Sequence, residues 1–189
     1  MPGNGKTLLA KYIAAKAGIH FLEVSCSTIE DSLVGESSKN MERAFQEAKR
    51  CAPCILFLDE IDCMCVNRDN KGLSQHDAKN TINFMVAMNK LADEYKGVLV
   101  IGATNRPWIL DTAVLSRFGE WTFVPKPGKM DRKAILEVNL KNGCDNSVLS
   151  GKQLEQLANL SLNMSAREIG NTIMCCFGSK SVVISPNYF

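Results

Sequence analysis

Apolar and polar positions keep two alternating periods along the first two thirds of the chain. Thr7 to Ala17 (TLLAKYIAAKA) is rich in helix formers and runs into Gly18, a residue suited to a helix C-terminus, so a helix is predicted there. Phe21–Val24 reads as a short strand, Ser37–Arg50 as an amphipathic helix, and Cys54–Leu58, behind Pro53, as a fully buried strand. From His76 to about Glu94, the apolar residues Ile82, Met85, Val86, Met88 and Leu91 stay near helical spacing, and Gly97 then leads into the apolar strand Val98–Ile101. Strands that alternate with helices build a parallel sheet covered on both faces, with loops at the strands' carboxyl ends available to ligands.

The alternation stops at Val124-Pro125-Lys126-Pro127-Gly128. Three helical segments follow, near Lys129–Leu140, Gln153–Leu160 and Ser165–Phe177, with no strand among them. The expected organisation is an α/β domain over residues 1–127, a small all-helical lid over 128–180, and a trailing tail over 181–189. A chain of 189 residues is long enough for this and too short for several independent cores.

Composition narrows the classes. At 46% apolar and 22% charged residues the chain should fold as a globular protein. Its 22 Lys and Arg against 20 Asp and Glu leave a charge of +2, which implies no nucleic-acid partner. No run of 18 apolar residues occurs and no apolar leader opens the chain, so a soluble, cytoplasmic protein without a membrane segment is expected. Its eight cysteines then read as reduced thiols. The group Cys51, Cys54, Cys63 and Cys65 raises zinc, but Cys54 opens a buried strand and free cysteine is commonly buried, which favours ordinary core thiols.

Pro2-Gly3-Asn4-Gly5-Lys6-Thr7, running on through Leu8 into the first helix, fits the end of the phosphate-loop pattern G-x-x-x-x-G-K-[ST]. Glycines let backbone N–H groups wrap phosphate oxygens, Lys6 reaches the β and γ phosphates, and the Thr7 hydroxyl ligates Mg²⁺. The first glycine of the pattern and the strand that delivers such a loop would precede Met1, so the first strand is expected to be missing and the chain to be a fragment. An ordinary glycine turn before a helix is the alternative.

A second element supports the loop. Ile55-Leu56-Phe57-Leu58-Asp59-Glu60 is an apolar strand ending in two carboxylates, placed at the sheet edge where phosphates would sit. Asp59 would hold the Mg²⁺ shell and Glu60 would polarise the attacking water as general base. A third lies in Gly102-Ala103-Thr104-Asn105-Arg106-Pro107, again at a strand's carboxyl end, where Asn105 would orient the water or the γ-phosphate.

With these elements in this order the chain resembles the AAA+ ATPases, more narrowly the AAA proteins, along nearly its whole length. LFLDEID, GATNRPWILD and SRF…VPKPG…R..IL look like that family's Walker B, sensor 1 and second-region-of-homology segments, and NRPWILD is similar to the branch with katanin and spastin. The resemblance implies a P-loop α/β fold with a helical lid, ATP and Mg²⁺ as ligands, and a homo-oligomeric ring, usually a hexamer. A neighbour's arginine completes each site in such a ring, and Arg117 of Ser116-Arg117-Phe118 matches that finger. A second basic residue often stands close by, where this chain has Ser116, Glu120 and Trp121. Arg167, in Ser165-Ala166-Arg167-Glu168-Ile169, aligns with the sensor 2 helix and either reaches the γ-phosphate in cis or is an exposed helix arginine. The pore loop that grips protein substrates aligns with Ser32-Leu33-Val34-Gly35-Glu36, with leucine in the aromatic position. Arg68 and the stretch to His76 fall where a second pore loop would lie and suit a plain surface loop as well.

These readings imply a Mg²⁺-dependent ATPase that remodels a protein substrate in a ring. The alternative is a truncated or degenerate nucleotide-binding interaction module without turnover.

Overall fold

The computed structural model describes residues 2–30, 37–67, 75–91, 94–143 and 149–177. Three strands form its sheet: β1 (His20–Ser25), β2 (Cys54–Asp59) and β3 (Val98–Gly102). Both outer strands pair with β2 in parallel, giving the order β1-β2-β3. The first five residues of β2 are at most 1% exposed. A parallel strand flanked on both sides is covered on both faces, which is why its sequence is continuously apolar rather than alternating. The pairings run in step, with Leu58 opposite Val24 on one side and Gly102 on the other, so the three carboxyl ends share one edge.

Successive residues of β2 point to opposite faces. Ile55 and Phe57 pack with Ala10 and Ala14 of α1 (Lys6–Ala17), whose small side chains let the helix lie close. On the other face, Cys54, Leu56 and Leu58 join Met41, Phe45 and Ala48 of α3 (Ser37–Arg50) and Phe84, Met85 and Met88 of α4 (Gln75–Asn89). Helices therefore cover both faces of the sheet, the P-loop α/β arrangement expected from the sequence. The inward face of α4 differs from the spacing argument: Phe84 is fully buried, whereas Ile82 and Val86 are 46% and 50% exposed.

Short elements that left no periodic signal fill the connections. A helix, α2 (Cys26–Glu30), follows β1 directly. After β2 and β3 come single 3-10 turns, Ile61–Cys63 and Pro107–Ile109, and then the one-turn helix α5 (Thr112–Leu115) capped by the Asp111 carboxylate. The two connections are tied together: Asp111 N–H donates to Cys65 O and Asn67 N–H to Ile109 O, both at 2.9 Å, around an antiparallel bridge of Val66 with Leu110.

Contacts divide the chain into two units. One is Lys6–Thr122; the other comprises the described residues of Met1–Gly5 and Phe123–Phe189. The division falls between Thr122 and Phe123 rather than after Pro127, and residues 2–5 group with the helices. Two hydrogen bonds explain that grouping: Asn4 Nδ2 donates to Val124 O at 3.2 Å, and Arg167 N–H to Gly3 O at 3.1 Å. The helices of this unit are α6 (Lys129–Gly143), α7 (Gly151–Leu160) and α8 (Ala166–Phe177). They close around Leu136, Leu140, Leu154, Ala158, Ile169 and Ile173, and no strand occurs among the described residues of this unit. Arg132, 6% exposed, donates Nε and Nη2 to Ala158 O and Nη1 to Pro127 O, so all three nitrogens of its buried guanidinium are hydrogen-bonded.

No helix among the described residues is long and apolar enough to cross a membrane. The pore-loop stretch around Leu33, Arg68 and the residues to Ser74, and the tail over 181–189 lie outside the described residues.

Candidate active site

Gly3 and Gly5 have φ of +78° and +89°, backbone that side-chain-bearing residues rarely adopt. At Gly3 a Cβ would also come within 2.7 Å of the Arg167 Cβ. Both glycines are therefore required by the path of the loop. Pro2 is exposed, and Leu8, on the outer side of α1, is 72% exposed.

Within the sheet unit, the in-step parallel pairing brings distant residues to one edge. Lys6, in the first turn of α1, donates its ammonium to Asn105 Oδ1 at 2.6 Å. Its neighbour Thr7 turns its hydroxyl to Asp59 Oδ2 at 3.5 Å. Asp59, at the last position of β2, also accepts the Glu60 N–H on its other oxygen at 2.9 Å. Glu60 is exposed and has φ 54° and ψ 45°, a left-handed conformation uncommon outside glycine. The side chains that the sequence assigned to magnesium, phosphate and sensing thus meet as Lys6–Asn105 and Thr7–Asp59, with Glu60 next in the chain.

The donor set suits ATP with Mg²⁺. A hydroxyl and a carboxylate side by side are hard oxygen ligands for a small divalent cation. A lysine beside a positive-φ glycine loop at a helix N-terminus suits phosphate.

Arg117 lies elsewhere on the sheet unit. Its guanidinium donates Nε to Asn89 Oδ1 at 2.9 Å and Nη1 to Ala113 O at 2.5 Å, so residues of its own chain hold it. Arg167 is exposed near the start of α8. Ser165 and Glu168 close that helix start reciprocally: Ser165 N–H donates to Glu168 Oε2 and Glu168 N–H to Ser165 Oγ. The hydrogen bonds from Ser165 hold the Glu168 carboxyl below its ordinary range.

The sequence reading passed over a buried acid. Asp62, 6% exposed, accepts from Thr104 Oγ1 and Arg106 Nε. The signal was present as the last residue of LFLDEID and the polar residues flanking Asn105.

Of the described cysteines, Cys26, Cys54 and Cys65 are buried, Cys51, Cys63 and Cys175 are partly exposed, and Cys176 is exposed. All seven described cysteines are free, and among the described residues no three His, Cys, Asp or Glu are placed to hold a metal ion. Burial, with Cys63 adding to it, pushes the Cys26 thiol up to about 12, and burial raises Cys65 in the same direction.

A family model described as the ATPase family associated with various cellular activities (AAA) matches residues 1–126. The ATP-dependent zinc metalloprotease FtsH of Acidothermus cellulolyticus is 35% identical over 176 residues, covering 91% of this chain and 26% of that protein. FtsH of Thermobaculum terrenum is 39% identical over 145 residues, with 75% and 22% covered. The nuclear valosin-containing protein-like protein of Mus musculus is 36% identical over 160 residues, with 84% and 18% covered. This chain spans about a quarter or less of these relatives' length, and they do not place it on the katanin and spastin branch. The family model and the relatives agree with the strand-end chemistry, and the chain belongs to the AAA family of ATPases.

Proposed function

We propose that this chain binds ATP with Mg²⁺ and hydrolyses it, and that it does so within a homo-oligomeric, hexameric ring that remodels a protein substrate. The observation that carries the reading is the meeting of Lys6 with Asn105 and Thr7 with Asp59, residues separated by 99 and 52 positions. In the reaction, Lys6 and the loop backbone over residues 2–8 bind the phosphates. Thr7 and Asp59 would hold the Mg²⁺, which when bound neutralises charge developing on the phosphoryl oxygens. Glu60 takes a proton from the attacking water, and Asn105 orients that water or the γ-phosphate. Arg117 of one subunit would serve its neighbour's site, and Arg167 would act in cis. The free thiols of the seven described cysteines suit a reducing, cytoplasmic setting.

ATP turnover per subunit, followed across a range of protein concentrations, tests the reading. Glu60→Gln is expected to bind ATP without turnover, and Arg117→Ala to bind but lose the concentration-dependent rate. Undiminished hydrolysis in both variants would refute it.

A further inference from the structure

Asp62 is the one acid of LFLDEID that the proposed reaction leaves unused, and its surroundings give it a task. It sits in the turn directly after Glu60, 6% exposed, where an ionised carboxylate requires partners. Both oxygens have one. Thr104 Oγ1 donates to Oδ1 at 2.8 Å and Arg106 Nε to Oδ2 at 3.0 Å. Thr104 Oγ1 in turn accepts the Arg106 N–H at 2.9 Å. The two residues that flank Asn105 are therefore both bound to the turn that begins at Glu60. Backbone bonds draw the same segments together, Ile61 N–H to Ala103 O at 3.1 Å and Ala103 N–H to Leu58 O at 2.8 Å.

The geometry points to Asp62 as a positioning residue for ATP hydrolysis: clamping Thr104 and Arg106, it aims Asn105 at Lys6 and keeps Asn105 in fixed relation to Glu60. This rests on the ATPase reading given above. Stability alone is a poor account of the arrangement. The Asp62 side chain is 7% exposed and needs a partner, but that of Arg106 is 58% exposed, so its own burial adds little to folding. What the pair supplies is direction, because Arg106 and Thr104 fix the backbone on both sides of Asn105, whose amide oxygen accepts from Lys6 at 2.6 Å.

Two variants test this. Asp62→Asn keeps an oxygen for Thr104 and gives up the charge facing Arg106. Arg106→Ala removes the exposed partner and leaves the core untouched, so it remains informative if Asp62→Asn folds poorly. Each is expected to lower ATP turnover roughly 10- to 100-fold, the scale of a small misplacement of reacting groups. Affinity for a fluorescent ATP analogue should change by less than about twofold, since the phosphate ligands are unaltered. In an Asn105→Ala background, either substitution should cost less than about twofold more, because residues acting through one group are not additive. Unchanged turnover, or losses that multiply in full, would overturn the assignment.

A readout without catalysis accompanies it. With selective ¹⁵N-asparagine labelling of the nucleotide-free protein, the Asn105 side-chain amide resonance should shift in both variants, and an unmoved resonance would overturn the proposal. If the wild-type chain shows no turnover at any concentration, the ATPase reading fails, and the amide signal alone decides whether Asp62 positions Asn105.

Discussion

Glu60 combines an exposed side chain with a backbone it should avoid, and this gives a prediction opposite in sign to most substitutions. Left-handed backbone costs a non-glycine residue about 1–2 kcal/mol, whereas glycine adopts it freely. Glu60→Gly removes that cost and returns about 0.4–1 kcal/mol through the greater freedom of the unfolded chain. Little packing is lost, because the side chain is exposed. The bonds that shape the turn, Glu60 N–H to Asp59 Oδ1 and Cys63 N–H to Glu60 O, both at 2.9 Å, involve only the backbone of residue 60 and survive the change. The balance is a net stabilisation of roughly 0.5–1 kcal/mol. For a chain of this size that raises Tm by about 1–4 °C.

Glu60→Gln is the matched control, since it keeps the strained backbone and nearly the same side chain, and its stability should lie within about 0.5 kcal/mol of wild type. Urea unfolding followed by far-ultraviolet circular dichroism compares the two variants, and ATP turnover is measured on the same preparations. Both variants should lose turnover, and only the glycine variant should gain stability. That pairing would mean the chain tolerates strain at residue 60 to aim a carboxylate. A glycine variant no more stable than the glutamine variant would refute the argument, because the left-handed turn would then store no strain for glycine to relieve.

Other predictions follow from packing and titration. Phe84 is fully buried and stacks on Phe118 with ring centroids 6.3 Å apart, so Phe84→Ala should lower unfolding free energy by about 3–5 kcal/mol, read as a lower urea midpoint. Iodoacetamide mapped by mass spectrometry should label exposed Cys176 in the native protein and reach buried Cys26, Cys54 and Cys65 only on unfolding. Because folding raises the Cys26 thiol from an ordinary value near 9 to about 12, the folded state keeps a proton that the unfolded state releases. That contribution is intact below about pH 9 and fades as pH rises toward 12, seen as a falling urea midpoint in alkaline buffer. Ser165→Ala removes the cap of α8 and should cost about 1 kcal/mol. The depressed Glu168 carboxyl adds stability that is present at neutral pH and lost as pH falls through the carboxylate range, measurable as acid sensitivity that Glu168→Gln reduces.

How much of this was legible in the sequence depends on the range over which each feature is determined. β2 could be read because five consecutive apolar residues flanked by Pro53 and Asp59 leave few options, and α1 because helix formers run unbroken from Thr7 to Gly18, which has the expected positive φ of +66°. Phosphate-loop and strand-end acids were legible for the same reason, as local patterns whose chemistry dictates their spacing. The inward face of α4 was not legible because Ile82 and Val86 fit helical spacing as well as Phe84 does; what selects Phe84 is a core that includes Phe118, 34 residues later in the chain. Asp62 was passed over because a third acid after the two at the strand end reads as surface charge until Thr104 and Arg106 are seen to approach it across 42 and 44 residues. Parallel pairing makes such approaches systematic: β2 and β3 lie side by side while their sequences are separated by a helix, so the loops after them meet in space and never in sequence. In a sheet of this kind the individual groups can be named from sequence, and the pairs among them come only from the register.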